Sequence, residues 1–307
     1  MQVFHDYKNL PPEVKGSTVV IGNFDGLHNG HRMLIELARK KSKEAENKLL
    51  ILTFNPHPRR YFMPDAPPFL ITPNGHHEEL LSTTKADYAL YLNFDQELAH
   101  FSADEFMQVI LRDALGAQQI VIGDDFCFGK GRKGNIYTLK ESGFHVTALG
   151  KIVDHGGRRY SSSRIRDAIS GGDMKKAQLI MGRPFEIRGT VIHGDKRGRE
   201  LGYPTANIRM GDYIHPAYGV YACHVKIEGE DIWRPAATNI GIRPMFESPE
   251  ALIEAYILDY SGDLYDKTLR VRPVRKVRNE MKFESLEELI AQIDQDCAKV
   301  RDILAED

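Results

Sequence analysis

Short apolar runs alternate with segments of helical period through the first half of the chain. Residues 17–21 read as a buried strand, after which Met33, Leu34, Leu37 and Ala38 recur on one face of a helix. Further strand-sized runs cover residues 49–54, 88–92, 119–122 and 145–149. Ser102 and Glu105 form a capping box that opens a helix through Phe106, Val109, Ile110 and Leu115. Strand and helix in alternation predict a parallel sheet covered on both faces. Such sheets bind ligands beyond the carboxyl ends of their strands, which is where the glycine- and histidine-rich stretch 22–31 falls.

The pattern changes near Tyr160. Ser161, Ser162 and Ser163 can cap a helix carrying Ile165, Ala168 and Ile169, stopped by Gly171 and Gly172. Asp173 caps a second short helix that ends near Gly182, with Pro184 beyond it. The domain boundary is expected there, giving domains 1–183 and 184–307. Strand patterns then follow one another at 186–193, 219–227, 233–240, 253–260 and 268–274, which predicts an antiparallel barrel or sandwich. A terminal helix is expected from a Ser285–Glu288 capping box, with Leu286, Leu289, Ile290, Ile293, Cys297, Val300 and Leu304 on one stripe.

A length of 307 residues suits two cores better than one, in agreement with that division. The 41 basic and 43 acidic side chains nearly cancel, so no global field recruits nucleic acid or an anionic membrane, and any anion site must be local. Three dispersed cysteines give no disulfide framework. The first residues show no basic-then-apolar signal pattern, and the apolar runs are shorter than the ~20 residues of a membrane helix. A cytoplasmic enzyme is the expectation.

The stretch Gly22-Asn23-Phe24-Asp25-Gly26-Leu27-His28-Asn29-Gly30-His31 follows a strand and opens a helix. Unpaired backbone N–H groups and the positive helix end gather there, and glycines let phosphates approach. His28 and His31 lie across one helical turn and can donate hydrogen bonds to phosphate oxygens whose charge grows during transfer. A solvated helix start or a metal pair would be the plainer reading of two such histidines. The segment, however, resembles the signature of the nucleotidyltransferase superfamily, which adenylylates or cytidylylates small phosphates. The run Ser161-Ser162-Ser163-Arg164-Ile165-Arg166 resembles that superfamily's second phosphate element. The resemblance implies ATP contacts from Gly22, Asn23, Phe24, Asp25, Gly26, His28, His31, Ser162, Ser163 and Arg166, with His28, His31 and Arg166 serving the chemistry.

The loops 53–59 and 123–129 narrow the likeness to the FMN adenylyltransferase module of bacterial FAD synthetases. That likeness implies a flavin site from Asn55, Pro56, Phe62, Phe106, Asp125 and Phe128; Cys127 departs from the hydroxyl residue or arginine usual in the family.

The second chemical segment covers residues 193–207. It is a glycine-rich basic loop without the Gly-Lys-Ser/Thr ending of a Walker loop, and it leads into a strand-like run. Thr205 and Asn207 are two apart, so an extended chain points both side chains the same way, as hard oxygen ligands for Mg²⁺. A charged hairpin and an edge strand would explain the composition equally well. Gly-Arg-Glu-Leu-Gly-Tyr-Pro-Thr-Ala-Asn closely resembles the riboflavin kinase signature, and the likeness continues through 219–222, 239–244 and 263–265. It implies nucleotide contacts from Gly194, Lys196, Gly198, Arg199, Gly202, Thr205 and Asn207, metal ligands Thr205 and Asn207, and Glu254 as catalytic base. Met245 and Tyr256 depart from common family residues.

The chain is therefore identified as resembling bacterial bifunctional riboflavin kinase/FMN adenylyltransferases. The implied fold is a Rossmann-like α/β nucleotidyltransferase sheet followed by an antiparallel β-barrel with a terminal helix. The implied reactants are riboflavin, FMN, FAD, ATP, ADP and pyrophosphate, with Mg²⁺ as cofactor and no nucleic acid or membrane partner. The histidine signature alone leaves the acceptor open among nicotinate mononucleotide, pantetheine phosphate and glycerol phosphate. A flavin-responsive binding protein is the alternative from another class.

Overall fold

The computed structural model describes residues 1–193, 201–243 and 250–306. By compactness the chain divides into two units, Met1–Ala66 with Thr72–Ser161, and Pro67–Ile71 with Ser162–Asp307.

The first unit is built on six strands: β1 (Gln2–Phe4), β2 (Thr18–Ile21), β3 (Leu49–Asn55), β4 (Tyr88–Asn93), β5 (Gln119–Gly123) and β6 (His145–Leu149). Their order is β1-β4-β3-β2-β5-β6, and every pairing is parallel. Period-two alternation sends Val19, Ile21, Leu50, Leu52, Leu90 and Ile120 to one core. Val20, Leu49, Ile51, Ala89 and Val121 go to the other. Each such buried aliphatic side chain is worth roughly 1.5–3 kcal/mol, which is why the strands read as near-continuous apolar runs.

The helix Asn29–Glu44 covers the second core through Leu34, Ile35, Ala38 and Ser42. The expected stripe is thus rotated by about one position: Met33 is 49% exposed, and Ile35 takes the inward place. The capping box at Ser102 forms with both reciprocal bonds. Beyond it, Phe106–Ala114 winds as a π-helix. That wider winding turns Met107 and Leu111 onto the buried face beside Phe106 and Ile110, while Val109 is only partly buried.

From β2 the chain runs through β3 and β4 on one side, and β5 and β6 lie on the other. The end of β2 is therefore the topological switch point, where a crevice opens beyond the carboxyl ends of the strands.

The second unit contains the helices Ser162–Ser170 and Met174–Met181, the latter capped by Asp173 and ended by left-handed Gly182. Its strands are β7 (Ile187–Ile192), β8 (Ala206–Arg209), β9 (Gly219–Ile227), β10 (Arg234–Arg243), β11 (Glu250–Ile257) and β12 (Thr268–Arg278). They close as β10-β11-β8-β7-β12-β9, antiparallel throughout, so the barrel is realised and the sandwich is not. Ile187, Ile208, Tyr221, Cys223, Val225, Ile240, Ile253 and Val271 are buried.

The terminal helix Leu286–Ala305 starts where Ser285 Oγ accepts from Glu288 N. The reciprocal bond is shifted by one residue, because Glu288 accepts from Glu284 N. Its packing centres on Val300 with Cys297, Ile303 and Leu304 against Ala222 and Leu258, whereas Leu286 is 51% exposed. The basic run on β12 is largely ion-paired. Arg270 and Arg272, with Arg188, surround Glu186; Arg278 pairs with Asp296, and Arg275 with Glu306.

Candidate active sites

At the switch point the chain leaves β2 through Gly22 and turns sharply. Phe24 and Leu27 hold positive φ angles of 50° and 34°, strained values sustained because both side chains are fully buried. Asp25 is also buried; its Oδ1 accepts from Thr72 N at 2.9 Å and from Thr72 Oγ1 at 3.2 Å. Gly26 N in turn donates to Thr72 Oγ1 at 3.0 Å. Asp25 thereby ties the turn to its neighbour, while Asn23 is exposed at the mouth.

His28 is the N-cap of the helix: its Nδ1 accepts from His31 N at 3.1 Å. An accepting Nδ1 places the proton of the neutral ring on Nε2. The His28 and His31 rings stack with centroids 3.6 Å apart and planes 15° apart, and Phe24 meets His31 edge-on at 5.3 Å. Gly30 permits this packing, since a Cβ there would lie 3.1 Å from His28 Cε1 and 3.2 Å from Tyr160 Cβ. Two imidazoles and a helix N-terminus thus converge on one spot, an arrangement suited to a polyphosphate.

The flavin-type residues divide into two groups. Asn55 and Pro56 close β3, and the short helix Pro58–Phe62 follows. Phe62 is 65% exposed and packs edge-on against Tyr61 and Phe94, with Phe54 beside Phe94. Phe106 and Phe128 instead contact each other at 5.3 Å and are buried in the core below. Asp125 is exposed and pairs with Arg159 at 2.8 Å, and that bond holds its carboxyl below the usual range. Cys127 Sγ lies 3.6 Å from the Asp125 carbonyl oxygen.

Ser162, Ser163 and Arg166 belong to the second unit, at the start of its first helix. Arg166 Nε donates to Phe69 O at 2.8 Å, and its guanidinium lies 5.5 Å from the Phe69 ring centre, which orients it.

In the barrel, register assembles the second site. Glu254 of β11 stands opposite Asn207 of β8 on one side and Asn239 of β10 on the other. Asn239 Nδ2 donates to Glu254 Oε2 at 3.3 Å. Asn207 is buried, and its Oδ1 accepts no hydrogen bond among the described residues. Thr205 is exposed just before β8. Beside them lies a cavity of about 310 Å³, whose lining includes Tyr203, Thr205, Asn239, Glu254 and Tyr256, and Ile293 and Asp296 of the terminal helix. Gly202 is described; Gly194, Lys196, Gly198, Arg199 and Met245 lie outside the described residues.

Sequence reasoning passed over Arg159, Phe94 and the cross-strand role of Asn239. A charge opposite Asp125 and a ring at the end of β4 carry no local motif. Asn239 stood in a recognised stretch, but its partner becomes visible only through strand register.

Comparison with known proteins assigns each half of the chain to a family. The FAD synthetase family model matches residues 10–164, and the riboflavin kinase family model matches residues 181–304. The bifunctional riboflavin kinase/FMN adenylyltransferase of Pseudomonas fluorescens is 38% identical, covering 99% of this chain and 98% of its own. The protein of the same name from Escherichia coli K12 is 36% identical, over 95% and 93%. A solved structure named as a macrolide-efflux protein from Streptococcus pneumoniae is 32% identical over 97% of this chain and 98% of its own, with a TM-score of 0.86. Among the described residues here, no helix is long and apolar enough to cross a membrane. The chain belongs to the bifunctional riboflavin kinase/FMN adenylyltransferase family, and it is an enzyme with both of those activities.

Proposed function

We propose that the two activities are carried by the two constellations above, working in sequence on one flavin. In the barrel, Glu254 takes the proton from the ribityl 5′-hydroxyl of riboflavin as that oxygen attacks the γ-phosphorus of ATP, and ADP leaves. In the parallel-sheet unit, a phosphate oxygen of FMN attacks the α-phosphorus of a second ATP, giving FAD and pyrophosphate. His28 Nε2–H and His31 donate to the phosphate oxygens as their charge grows, with Arg166, Ser162 and Ser163 as the second phosphate element. Asn55, Pro56 and Asp125 line the flavin site, Phe62 offers an exposed ring face for stacking, and Phe106 and Phe128 support the loops from beneath.

The functional boundary is placed at 183/184. That boundary keeps Arg166 with adenylyl transfer, although Arg166 packs in the second compact unit and the riboflavin kinase match already begins at residue 181.

The observation that carries the kinase assignment is the buried Asn207 Oδ1 beside Glu254. A hard oxygen with no hydrogen-bond partner among the described residues, on a residue paired across strands with Glu254 and two positions from Thr205, fits Mg²⁺. Thr205 and Asn207 would hold the ion, which when bound with ATP neutralises phosphate charge. Gly194, Lys196, Gly198, Arg199 and Gly202 are the phosphate-loop residues of this reading. The reaction belongs in the cytoplasm, where free Cys127, Cys223 and Cys297 stay reduced.

Titrating Mg²⁺ at fixed ATP tests this. Asn207→Ala should need several-fold more Mg²⁺ for half-maximal FMN formation, and Asn207→Asp should restore tight dependence. Unchanged Mg²⁺ dependence in a folded Asn207→Ala protein would remove Asn207 from the metal site.

A further inference from the structure

Among the described residues, the wall of the kinase cavity formed by residues 201–205 has little backbone anchorage of its own. Pairing of β8 with β11 starts only at Ala206. Gly202 has φ +85°, a conformation that side-chain-bearing residues rarely adopt, and Pro204 has no N–H to donate. Yet Leu201, Tyr203 and Thr205 all line the cavity.

Tyr203 supplies the missing anchorage. Its hydroxyl donates to Asp294 Oδ1 at 2.7 Å, joining residues 91 positions apart. Its ring meets Tyr256, another lining residue, edge-on with centroids 5.4 Å apart at 80°. Asp294 sits on the terminal helix between Ile293 and Asp296, which also line the cavity. One hydrogen bond to a charged acceptor therefore links the 201–205 wall to the terminal helix.

We infer that Tyr203 and Asp294 form a latch that closes the flavin cavity of the kinase and positions the 201–205 wall against riboflavin. The inference rests on the reading of this cavity as the riboflavin site. Tyr203 acts as a positioning residue: it holds the wall that carries Thr205, and it takes no proton in the transfer. Because the bond holds a wall of the cavity and takes no part in the transfer, its loss falls on riboflavin retention rather than on the transfer step.

The test is steady-state FMN formation by the full chain, with riboflavin dissociation followed by flavin fluorescence. Tyr203→Phe keeps the ring against Tyr256 and removes only the hydroxyl. It should raise the riboflavin KM about three- to tenfold, the net worth of an ordinary hydrogen bond, through faster dissociation, with a much smaller change in kcat. Asp294→Ala should give the same effect, and the double variant should be no worse than either single one. Thermal unfolding of the barrel reports that each variant is folded. A wild-type KM in Tyr203→Phe, multiplying effects in the double variant, or a parallel fall of kcat and thermal stability would overturn the latch. Glu254→Gln separates the two levels. If it still makes FMN, the cavity reading itself falls; if it is inactive while Tyr203→Phe keeps its KM, only the latch falls.

Discussion

In the parallel-sheet unit, His28 and His31 lie within one turn of one helix, and their arrangement follows from a single cap bond and a stacked ring pair. In the barrel, Glu254 meets Asn207 and Asn239 from the two neighbouring strands, so its surroundings depend on the register of three strands. Local chain geometry orients the first group of donors, while the second site needs the barrel to close before it exists. The first is preorganised by a helix end and the second by tertiary pairing. The two should therefore fail separately, and for different reasons.

The largest effect is expected at Glu254. Glu254→Gln removes the proton acceptor while leaving the shape and the bond to Asn239 largely in place. FMN formation should fall about 10²–10⁴-fold, the usual worth of a positioned general base, with FAD formation from supplied FMN retained; product chromatography reads both. A kinase rate within tenfold of the parent would assign the base elsewhere.

His28→Ala comes next. Loss of a preorganised donor to the transferring phosphate should lower FAD formation about 10²–10³-fold, with FMN formation intact. The substitution also removes the helix cap, worth about 1 kcal/mol of stability. His28→Asn restores a cap acceptor, and it should recover stability without recovering the rate. Recovery of both would reduce His28 to a structural role.

The smallest effect concerns how the barrel is held. Burial alone pushes the Glu186 carboxyl up, but bonds from Arg270 and Arg188, with Arg272, outweigh it and bring the group down to about 2. A depressed carboxylate contributes stability above its unfolded value near 4.5, and that contribution is lost as pH falls toward 2. The shift corresponds to about 3 kcal/mol. Glu186→Gln should lose roughly that much at pH 7, since it leaves buried guanidinium groups uncompensated, and its stability should vary less between pH 4.5 and 2. Denaturant unfolding at several pH values checks this; parallel curves for both proteins would show that the cluster is not what acid disrupts.

The same contrast explains what could be read in the sequence. The strand-to-helix junction and the histidine pair were legible because each is contained in a few consecutive residues. The barrel strands were legible as a series, but closure over a sandwich required the pairing of β10 with both β9 and β11 and of β7 with both β8 and β12. Glu254 was reached by resemblance; its contact with Asn239 spans 15 positions and leaves no local trace. Three aromatic residues looked alike as flavin-stacking rings, yet burial separates Phe62 from Phe106 and Phe128. The helical stripe on Asn29–Glu44 and the π-wound Phe106–Ala114 were misjudged because packing fixed which neighbours turned inward, and periodicity alone does not.

The central claim is that two complete, separable transfer sites reside in one chain and exchange FMN through solution. Mixing His28→Ala and Glu254→Gln proteins with riboflavin, ATP and Mg²⁺ tests it directly, with products read by chromatography. Separately, the first should stop at FMN and the second should make neither product; mixed, they should make FAD after a lag in which FMN accumulates. A mixture that makes FMN but no FAD, or either variant lacking both activities while folded, would contradict the account.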